Sequence, residues 1–386
     1  MAKKEIVTSI SKEKLQYALS EALKKIDRNL DVFTTVFPSH ASKNNVYIPE
    51  ENIDGWQEGF WSGILWIAYE LTGDEKYKNV AMQQIPTYTK RIVERHVVDH
   101  HDMGFLYIPS CVAAYKLTGD EEAKKTALMA ADNLMGRYHD VGEFVQAWGP
   151  FGSAEHYRLI IDCLLNIPLF YWASEVTGDS KYDEAAFKHY KTTMANIMRE
   201  DGSTYHTFYF DPETGAPVKG VTAQGAADDS CWARGQAWGI YGSMLTHMYK
   251  KNPDAIEAFK KMTDYFKKYL PDDYIPYWDL SFTSGDEPRD SSAAAIAACG
   301  LIEAGYSMDD SDPQKKEYMN LALTMMDSLI DDYLTKDIEE SNGLLLHAVY
   351  NRNSGNGVDE CNIWGDYFYM EALARLIKGP EFKAYW

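Results

Sequence analysis

One carboxylate lies inside an otherwise apolar run. The segment RLIIDCLLNIPLFYW, residues 158–172, holds Asp162 among leucine, isoleucine and aromatic side chains. If the segment is helical, Arg158 and Asn166 lie on the same face as Asp162, four residues to either side, and form a polar cluster that lowers its pKa. The other interpretation is a desolvated carboxyl whose raised pKa suits a general acid. The residues alone leave both interpretations open.

A second candidate carboxylate stands in HHDMGF, residues 100–105. One interpretation makes Asp102 the N-cap of a helix, because aspartate is favoured there and Gly104 follows just inside. The other places Asp102 and His101 in a pocket. Neither is excluded by the residues themselves.

Aromatic and polar residues that suit a sugar follow in two long segments. Trp148 lies beside a glycine in a loop, where its ring either packs on the apolar face of a sugar or simply plugs the loop. The longest non-helical insertion holds or adjoins His206, Gln224, Trp232, Arg234 and Trp238.

Arg234 has two readings of its own. Small neighbours in CWARGQAWG leave room for its guanidinium to bind a carboxylate in the bidentate manner. Alternatively it pairs with Asp228 or Asp229. We interpret Asp290 as a helix N-cap, and Asp366 as part of helix packing.

Helix pairs are the elements that must position these residues. LTGDEKYKNVA, LTGDEEAKKTA and VTGDSKYDEAA begin at residues 71, 117 and 176. In each, glycine suits the left-handed position that ends one helix, and aspartate caps the next. The spacing predicts about six helical hairpins. Aromatic residues at 13%, small-residue helices such as SSAAAIAACG and long polar insertions favour a closed (α/α)6 barrel over an open solenoid. We therefore predict an all-α fold.

Composition narrows the function classes. The chain has 386 residues and a formal charge of −20, which disfavours nucleic acid and anionic membranes as partners. Five scattered cysteines without CxxC predict reduced thiols, and no cluster suggests a metal site. The N-terminus lacks the apolar stretch of a secretory signal, so we predict a cytoplasmic protein. We expect one catalytic domain over 1–386, with 1–30 as an N-terminal helical extension, in a monomer or weak homodimer.

The ordered motifs resemble the unsaturated glucuronyl hydrolases, glycoside hydrolase family 88. HHDMGF, RLIIDCLLNIPLFYWA, the His206 segment, CWARGQAWG, PRDSSAAAIAA and DECNIWGDYFYMEAL are similar to that family's landmarks, in its order, roughly from Trp56 to Leu376. The resemblance implies an (α/α)6 barrel, no cofactor, and oligosaccharides left by polysaccharide lyases as substrates. These carry a 4,5-unsaturated uronic acid at the non-reducing end, which the family removes by hydrating the vinyl ether.

The resemblance also implies roles for single residues. Asp162 falls on the acid/base that protonates C4 and then activates water, and Asp102 falls on a second essential carboxylate that holds the sugar hydroxyls. The substrate-binding positions implied are His101, Trp61, Trp148, His206, Gln224, Trp232, Arg234 and Trp238. Trp61 is the loosest match, since Trp56 lies close by.

A last motif bears on sulfate. Some family members bind sulfate with Ser-x-x-Ser-x-Lys, and the corresponding stretch here is NRNSGNGVDEC. Asn351, Ser354 and Asn356 occupy those positions, so only the middle serine remains, and the resemblance implies that Ser354 is a further substrate-binding residue. We expect unsulfated or modestly sulfated fragments to be preferred, unless Arg352 bends inward to replace the cation.

Three other functions are compatible with parts of the pattern. A related family removes unsaturated galacturonic acid from rhamnogalacturonan fragments with the same barrel and chemistry. A sugar 2-epimerase shares the barrel but typically uses a pair of histidines for proton exchange. A non-catalytic helical scaffold predicts no carbohydrate chemistry at Asp162.

Overall fold

The computed structural model describes residues 3–386, and α-helices dominate it. Residues 1 and 2 of the predicted domain lie outside the described part. The helices are, in chain order, α1 Lys12–Leu30, α2 Glu58–Thr72, α3 Glu75–Val93, α4 Met103–Tyr107, α5 Ala113–Thr118, α6 Glu121–Met135, α7 Pro168–Thr177, α8 Ser180–Ile197, α9 Ala233–Lys250, α10 Pro253–Lys268, α11 Ser291–Ser307, α12 Lys315–Asp332 and α13 Ile363–Lys378. A π-helical turn, Ile108–Val112, joins α4 to α5.

The three Thr-Gly-Asp segments form the predicted turns. Their glycines end α2, α5 and α7 with φ of 72°, 73° and 73°. Each following aspartate caps the next helix by accepting a backbone N–H in its first turn. Local chemistry alone therefore accounts for these tight reversals, because a left-handed residue followed by an N-cap stops one helix and starts another.

The helices form two concentric rings. The inner ring consists of α2, α4–α5, α7, α9, α11 and α13, and helices such as α9 and α11 are buried on nearly every side. The outer helices are amphipathic: α10, for example, buries one apolar face that includes Phe259 and Phe266 and exposes its lysines. The ring closes where α13 packs against α2. There Gly63 allows close approach, since a Cβ would meet Tyr367 and Pro109 within 3 Å. The predicted (α/α)6 barrel is confirmed.

Helix α1 packs against α13 as its outer partner. It is therefore part of the barrel, whereas the sequence suggested an N-terminal extension. Its apolar face, including Leu19 and Ile26, belongs to the main core. Lys25 donates to the backbone carbonyls of Ile338 and Ser341. The sixth hairpin is therefore built from the two ends of the chain, which sequence spacing between neighbouring helices does not reveal.

The two ends of the barrel differ in their connections. Short turns link inner helices to outer ones, whereas long segments link each outer helix to the next inner helix. The long segments carry all the strands: β1 Phe37–Pro38 with β2 Pro49–Glu50, β3 Tyr138–His139 with β4 Phe144–Val145, β5 Arg158–Ile160 with β6 Thr207–Phe210 and β7 Pro217–Val221, and β8 Ala348–Asn351 with β9 Asn356–Glu360. All these pairings are antiparallel. None of the described helices is both long and apolar enough to cross a membrane.

Candidate active site

A cavity of about 240 Å³ opens where the long segments meet the N-termini of the inner helices. Arg234 stands in the first turn of α9, where the positive end of the helix dipole favours a negatively charged ligand. The cavity therefore combines aromatic walls with titratable groups, and its lining comes from five separate connections and from the first turn of α9. Its lining residues are Trp56, His101, Asp102, Trp148, Arg158, Ile160, Asp162, His206, Ala223, Gln224, Arg234 and Tyr350.

Asp162 does not stand in an α-helix. Residues Arg158–Ile160 form β5, which pairs with β6, and Asp162 follows in a single 3-10 turn, Ile161–Leu165. The predicted helical face shared by Arg158, Asp162 and Asn166 is therefore absent. Asn166 donates to the backbone carbonyl of Asp162 at 3.3 Å rather than to its carboxylate. Pairing with β6 overrides the apolar run's helical appearance and turns the carboxyl into the cavity.

The Asp162 carboxyl is desolvated and poorly satisfied. Its Oδ1 is buried without a hydrogen-bond partner among residues 3–386. Burial, together with the negative charge of Asp102, raises the pKa of Asp162 to about 7, and the charge of Arg234 opposes the rise only partly. Asp162 is therefore poised to carry a proton near neutral pH and to lose it readily. A group of this kind suits general acid catalysis followed by general base catalysis.

The pKa of Asp102 is shifted in the opposite direction, below its ordinary value. Burial alone disfavours its ionised form, but His101, His100 and the Asn166 amide outweigh burial and hold its pKa below the ordinary value. Asp102 occupies the N-cap position of α4, yet its side chain makes no capping bond. Instead its carboxylate oxygens lie 3.2 Å from His100 Nδ1 and 3.3 Å from His101 Nε2. The carboxylate is thus kept ionised and turned towards the cavity.

Asn166 ties the two carboxylate-bearing segments together. Its Oδ1 accepts the backbone N–H of Phe105 at 2.8 Å, while its Nδ2 reaches the Asp162 carbonyl. Gly104 permits this contact, because a Cβ there would lie 2.3 Å from the Asn166 Cα. The start of α4 and the 3-10 turn are therefore held in one fixed arrangement.

Two cavity histidines are neutral. Burial lowers the pKa of His101 to about 4 and that of His206 to about 3, helped in His206 by the positive charge of Arg234. His206 Nδ1 accepts the backbone N–H groups of Ala223 and Gln224. Its proton therefore sits on Nε2, and His206 serves as a hydrogen-bond donor in the cavity rather than as a charged group.

The predicted aromatic residues are placed differently from one another. Trp148 lines the cavity and stacks on His100, with centroids 4.7 Å apart. Trp232 packs against His206 at 4.4 Å, behind the cavity wall. Trp238 is fully buried against Phe105, also behind the wall.

Trp61 is not brought to the cavity. It is fully buried, and its Nε1 donates to the Phe33 carbonyl at 2.8 Å. Trp56 lines the cavity instead, because it lies in the segment before α2, whereas Trp61 lies inside that helix on a core-facing side. The two tryptophans differ in their position relative to the start of α2, since Trp56 precedes the helix and Trp61 lies within it.

Arg234 is held on every side by acceptors. It is 1% exposed and lies 3.1 Å from Asp290, which also caps α11 as predicted. Its two terminal nitrogens donate further to the Val349 and Tyr350 carbonyls and to Gln224 Oε1. In residues 3–386, Arg234 forms no salt bridge with Asp228 or Asp229, which was the alternative pairing. Arg234 thereby fixes Gln224 and β8, and its charge is already balanced by Asp290.

Arg158 is the contrasting cation. It lines the cavity and donates from Nη1 to the Tyr209 hydroxyl at 2.6 Å. Its Nε is buried without a partner, and no carboxylate in the described chain lies within 4 Å of it. Arg158 therefore keeps both a donor and an unbalanced charge for a ligand.

The β8–β9 turn carries the residues that correspond to the sulfate motif. Ser354 is exposed and bonds only to Asn351 within the turn. Asn356 lies 3.2 Å from His40. Arg352 points to Glu287, at 3.6 Å, rather than into the cavity. Asp366 accepts from Tyr47 and from the Leu344 and Leu345 amides, in keeping with a packing role.

Sequence reasoning missed four wall residues: Arg158, which it considered only as a partner of Asp162, and Ile160, Ala223 and Tyr350. Tyr350 lies in β8 beside Trp56, with ring centroids 6.3 Å apart, and its hydroxyl accepts from Trp56 Nε1 at 3.4 Å. No local motif marks such positions, because a strand residue reaches the cavity only through the path of its loop.

Sequence and structure comparisons relate this chain to one family of glycoside hydrolases. The sequence profile of Glycosyl Hydrolase Family 88 matches residues 25–376. The unsaturated chondroitin disaccharide hydrolase of Streptococcus pyogenes serotype M1 is 50% identical over 98% of this chain and 94% of its own. The crystal structure of unsaturated glucuronyl hydrolase from Streptococcus agalactiae superposes with a TM-score of 0.95, at 46% identity and with both chains fully covered. A mutant of the S. agalactiae enzyme complexed with dGlcA-GalNAc6S covers both chains fully at 43% identity and a TM-score of 0.86. This chain belongs to Glycosyl Hydrolase Family 88.

Proposed function

We propose that this enzyme removes 4,5-unsaturated glucuronic acid from the non-reducing end of glycosaminoglycan fragments made by lyases. The observation that carries the proposal is Asp162, a carboxyl with a pKa of about 7 whose buried Oδ1 faces a cavity without a partner in the described chain. Protonating a vinyl carbon requires an acid that still holds its proton near neutral pH. The names of the curated relatives favour the same substrate class.

The chemistry follows from the two protonation states of Asp162. Its carboxylic acid transfers a proton to C4, and the positive charge that develops at C5 is shared with the ring oxygen. The resulting carboxylate takes a proton from water as the water oxygen bonds to C5, so the acid is regenerated. The hemiketal formed then opens and releases the remaining sugar. One group thus serves both steps, in opposite protonation states.

Asp102 and the neutral histidines bind the sugar. The ionised Asp102 accepts hydrogen bonds from ring hydroxyls, and its negative charge stabilises the cation that develops at C5. His206 donates from Nε2. The substrate's own carboxylate meets Arg158, whose charge has no carboxylate within 4 Å in residues 3–386. Trp148 supplies a flat surface for the sugar's apolar face.

The site of action that we propose is the cytoplasm. All five cysteines are buried and free. Burial raises the pKa of Cys111 and Cys231 to about 12, so these thiols are poor nucleophiles. A set of unpaired, protected thiols suits a reducing compartment. The monomer or weak homodimer stays a prediction.

The test is the ultraviolet absorbance of the conjugated double bond in an unsaturated, unsulfated chondroitin disaccharide. The purified enzyme should abolish that absorbance without added metal. An unsaturated rhamnogalacturonan disaccharide is the control substrate and should react much more slowly. Faster decay of the pectin-derived substrate would contradict the proposal in favour of the galacturonyl reaction, and no decay of either would contradict the hydratase chemistry.

A further inference from the structure

The three-stranded sheet beside the cavity turns one of its faces towards the site of Asp162. Arg158 and Ile160, two residues apart in β5, both line the cavity. Alternate residues of a strand point to the same side, and so do residues that pair directly across strands. Arg158 pairs with Tyr209 in β6, and Tyr209 pairs with Lys219 in β7. These three side chains therefore form a row on the cavity-facing side of the sheet, from the cavity wall to the edge strand β7.

The side-chain contacts follow this row. The guanidinium of Arg158 lies 5.3 Å from the centroid of the Tyr209 ring, and the Lys219 ammonium lies 5.8 Å from the same centroid. Arg158 Nη1 also donates to the Tyr209 hydroxyl at 2.6 Å. One half-buried aromatic ring is thus within cation–π range of two cations, one at the cavity wall and one exposed to solvent.

The charge of Lys219 is not neutralised by a neighbouring carboxylate. Within residues 3–386, no carboxylate oxygen lies within 4 Å of its Nζ. Asp211, in the turn between β6 and β7, instead accepts the backbone N–H groups of Glu213 and Thr214. The chain as a whole carries a formal charge of −20. An unneutralised ammonium beside the cavity therefore attracts an anion that most of the surface repels.

Given the proposed function, on which this step rests, we propose that Lys219 is a further specificity-determining residue, which draws the carboxylate of the unsaturated sugar towards Arg158. Arg158 makes the charge-assisted bond at the cavity wall, whereas Lys219 acts through solvent, without touching the sugar. In water, a unit charge about 8 Å away changes the affinity for an anion by about twofold to threefold. Salt weakens this attraction because it shortens the distance over which charges act.

The experiment measures kcat/KM for an unsaturated, unsulfated chondroitin disaccharide and for its methyl ester, at about 0.01 M and about 1 M NaCl. At low salt, Lys219→Gln should lower kcat/KM for the acid by about twofold to threefold, and Lys219→Glu by roughly fivefold, with the loss concentrated in KM. Both losses should be smaller for the uncharged ester. They should also shrink at high salt, because the Debye length falls from about 30 Å to about 3 Å.

Lys125 supplies a charge-matched control. It is exposed in the first half of α6, near the short turn that precedes this helix, and it has no salt-bridge partner in residues 3–386. Lys125→Gln and Lys125→Glu change the net charge by the same amounts and should affect kcat/KM for the acid far less. Melting curves establish that each variant is folded.

Two results would overturn the inference and leave the proposed function standing, both with an active wild type. In one, the Lys219 variants lose no more kcat/KM than the Lys125 variants. In the other, the Lys219 variants lose equally on acid and ester at both salt concentrations, as expected of a merely structural change. A wild type that leaves the double bond of the disaccharide intact would overturn the proposed function itself.

Discussion

Asp102 and Asp162 line the same cavity, yet their pKa values move in opposite directions. Both carboxyls are removed from water, which by itself raises the pKa of each. Asp102 is compensated by His100, His101 and the Asn166 amide, whereas Asp162 Oδ1 has no such donor in the described chain. The difference shows that neighbouring charges and hydrogen-bond donors, rather than burial, assign the charged and the protonated role.

The two carboxyls are also electrostatically coupled. The ionised Asp102 is itself a cause of the raised pKa of Asp162. Two nearby carboxylates do not ionise equally, so one keeps its proton. Asn166 holds the pair at a fixed separation through α4 and the 3-10 turn. Replacing either carboxyl should therefore change the pKa of the other.

The largest expected effect comes from Asp162→Asn. An amide neither donates a proton to carbon nor accepts one from water, so kcat should fall by about 10² to 10⁴. The measurement is kcat from the loss of double-bond absorbance. A variant retaining more than about a tenth of wild-type kcat would remove Asp162 from the acid role.

Asp366 offers a matched control for that change. Asp366 is buried, and its pKa is likewise raised to about 7, but it is bonded to Tyr47 and two backbone amides away from the cavity. Asp366→Asn should lower the melting temperature while the folded enzyme keeps its kcat. Equal losses of kcat in Asp162→Asn and Asp366→Asn would mean that burial of a carboxyl, not its place in the cavity, matters.

Asp102→Asn should reduce kcat/KM roughly a hundredfold, because one preorganised charge facing the developing cation is lost. The fold should remain, since the Asp102 side chain makes no capping bond to α4. Steady-state kinetics together with a melting curve test this. Near-normal kcat/KM would assign Asp102 a merely structural place at the start of α4.

The two cavity arginines should differ in what they recognise. Arg158→Gln should lower kcat/KM for the acidic substrate by about tenfold or more, since a charge-assisted bond is lost, and less for the methyl ester of the unsaturated sugar. Arg234→Gln should instead lower stability by roughly 3 to 5 kcal/mol, because Asp290 is left as an unpaired buried charge.

Matched acid and ester substrates with both variants decide between the arginines. If Arg234→Gln discriminates acid from ester and Arg158→Gln does not, the carboxylate is bound by Arg234, as the sequence motif suggested.

The smallest expected effect is a shift in the pH profile, and it tests whether the charge of Asp102 raises the pKa of Asp162. In the wild-type enzyme Asp162 must be protonated to begin the reaction, so kcat/KM should fall about tenfold per pH unit above a pKa near 7. Asp102→Asn removes a negative charge that raises this pKa, so the alkaline limb should move to lower pH. A pH profile of residual activity in the variant measures the shift. A limb that stays in place would mean that the two carboxyls are not coupled.

Much of the framework could be predicted from short stretches of sequence. The Thr-Gly-Asp turns and the Asp290 cap involve contacts within a few residues, so glycine and aspartate specify them locally. The closed barrel was favoured by the aromatic content, the small-residue helices and the long polar insertions. The role of α1 could not be predicted this way, because its partner α13 lies at the other end of the chain.

What the sequence by itself determined, then, is the helical hairpins, their turns and the motifs that place the chain in its family, because each depends on neighbouring residues. Only the tertiary structure decided that β5 pairs with β6 and turns Asp162 into the cavity, and that Trp56 rather than Trp61 lines it. The partners of Arg234 were decided there too, since Asp290 and β8 lie far along the chain. Charge and pKa at this site depend on distances of a few ångströms between distant segments, and those distances exist only once the barrel has closed.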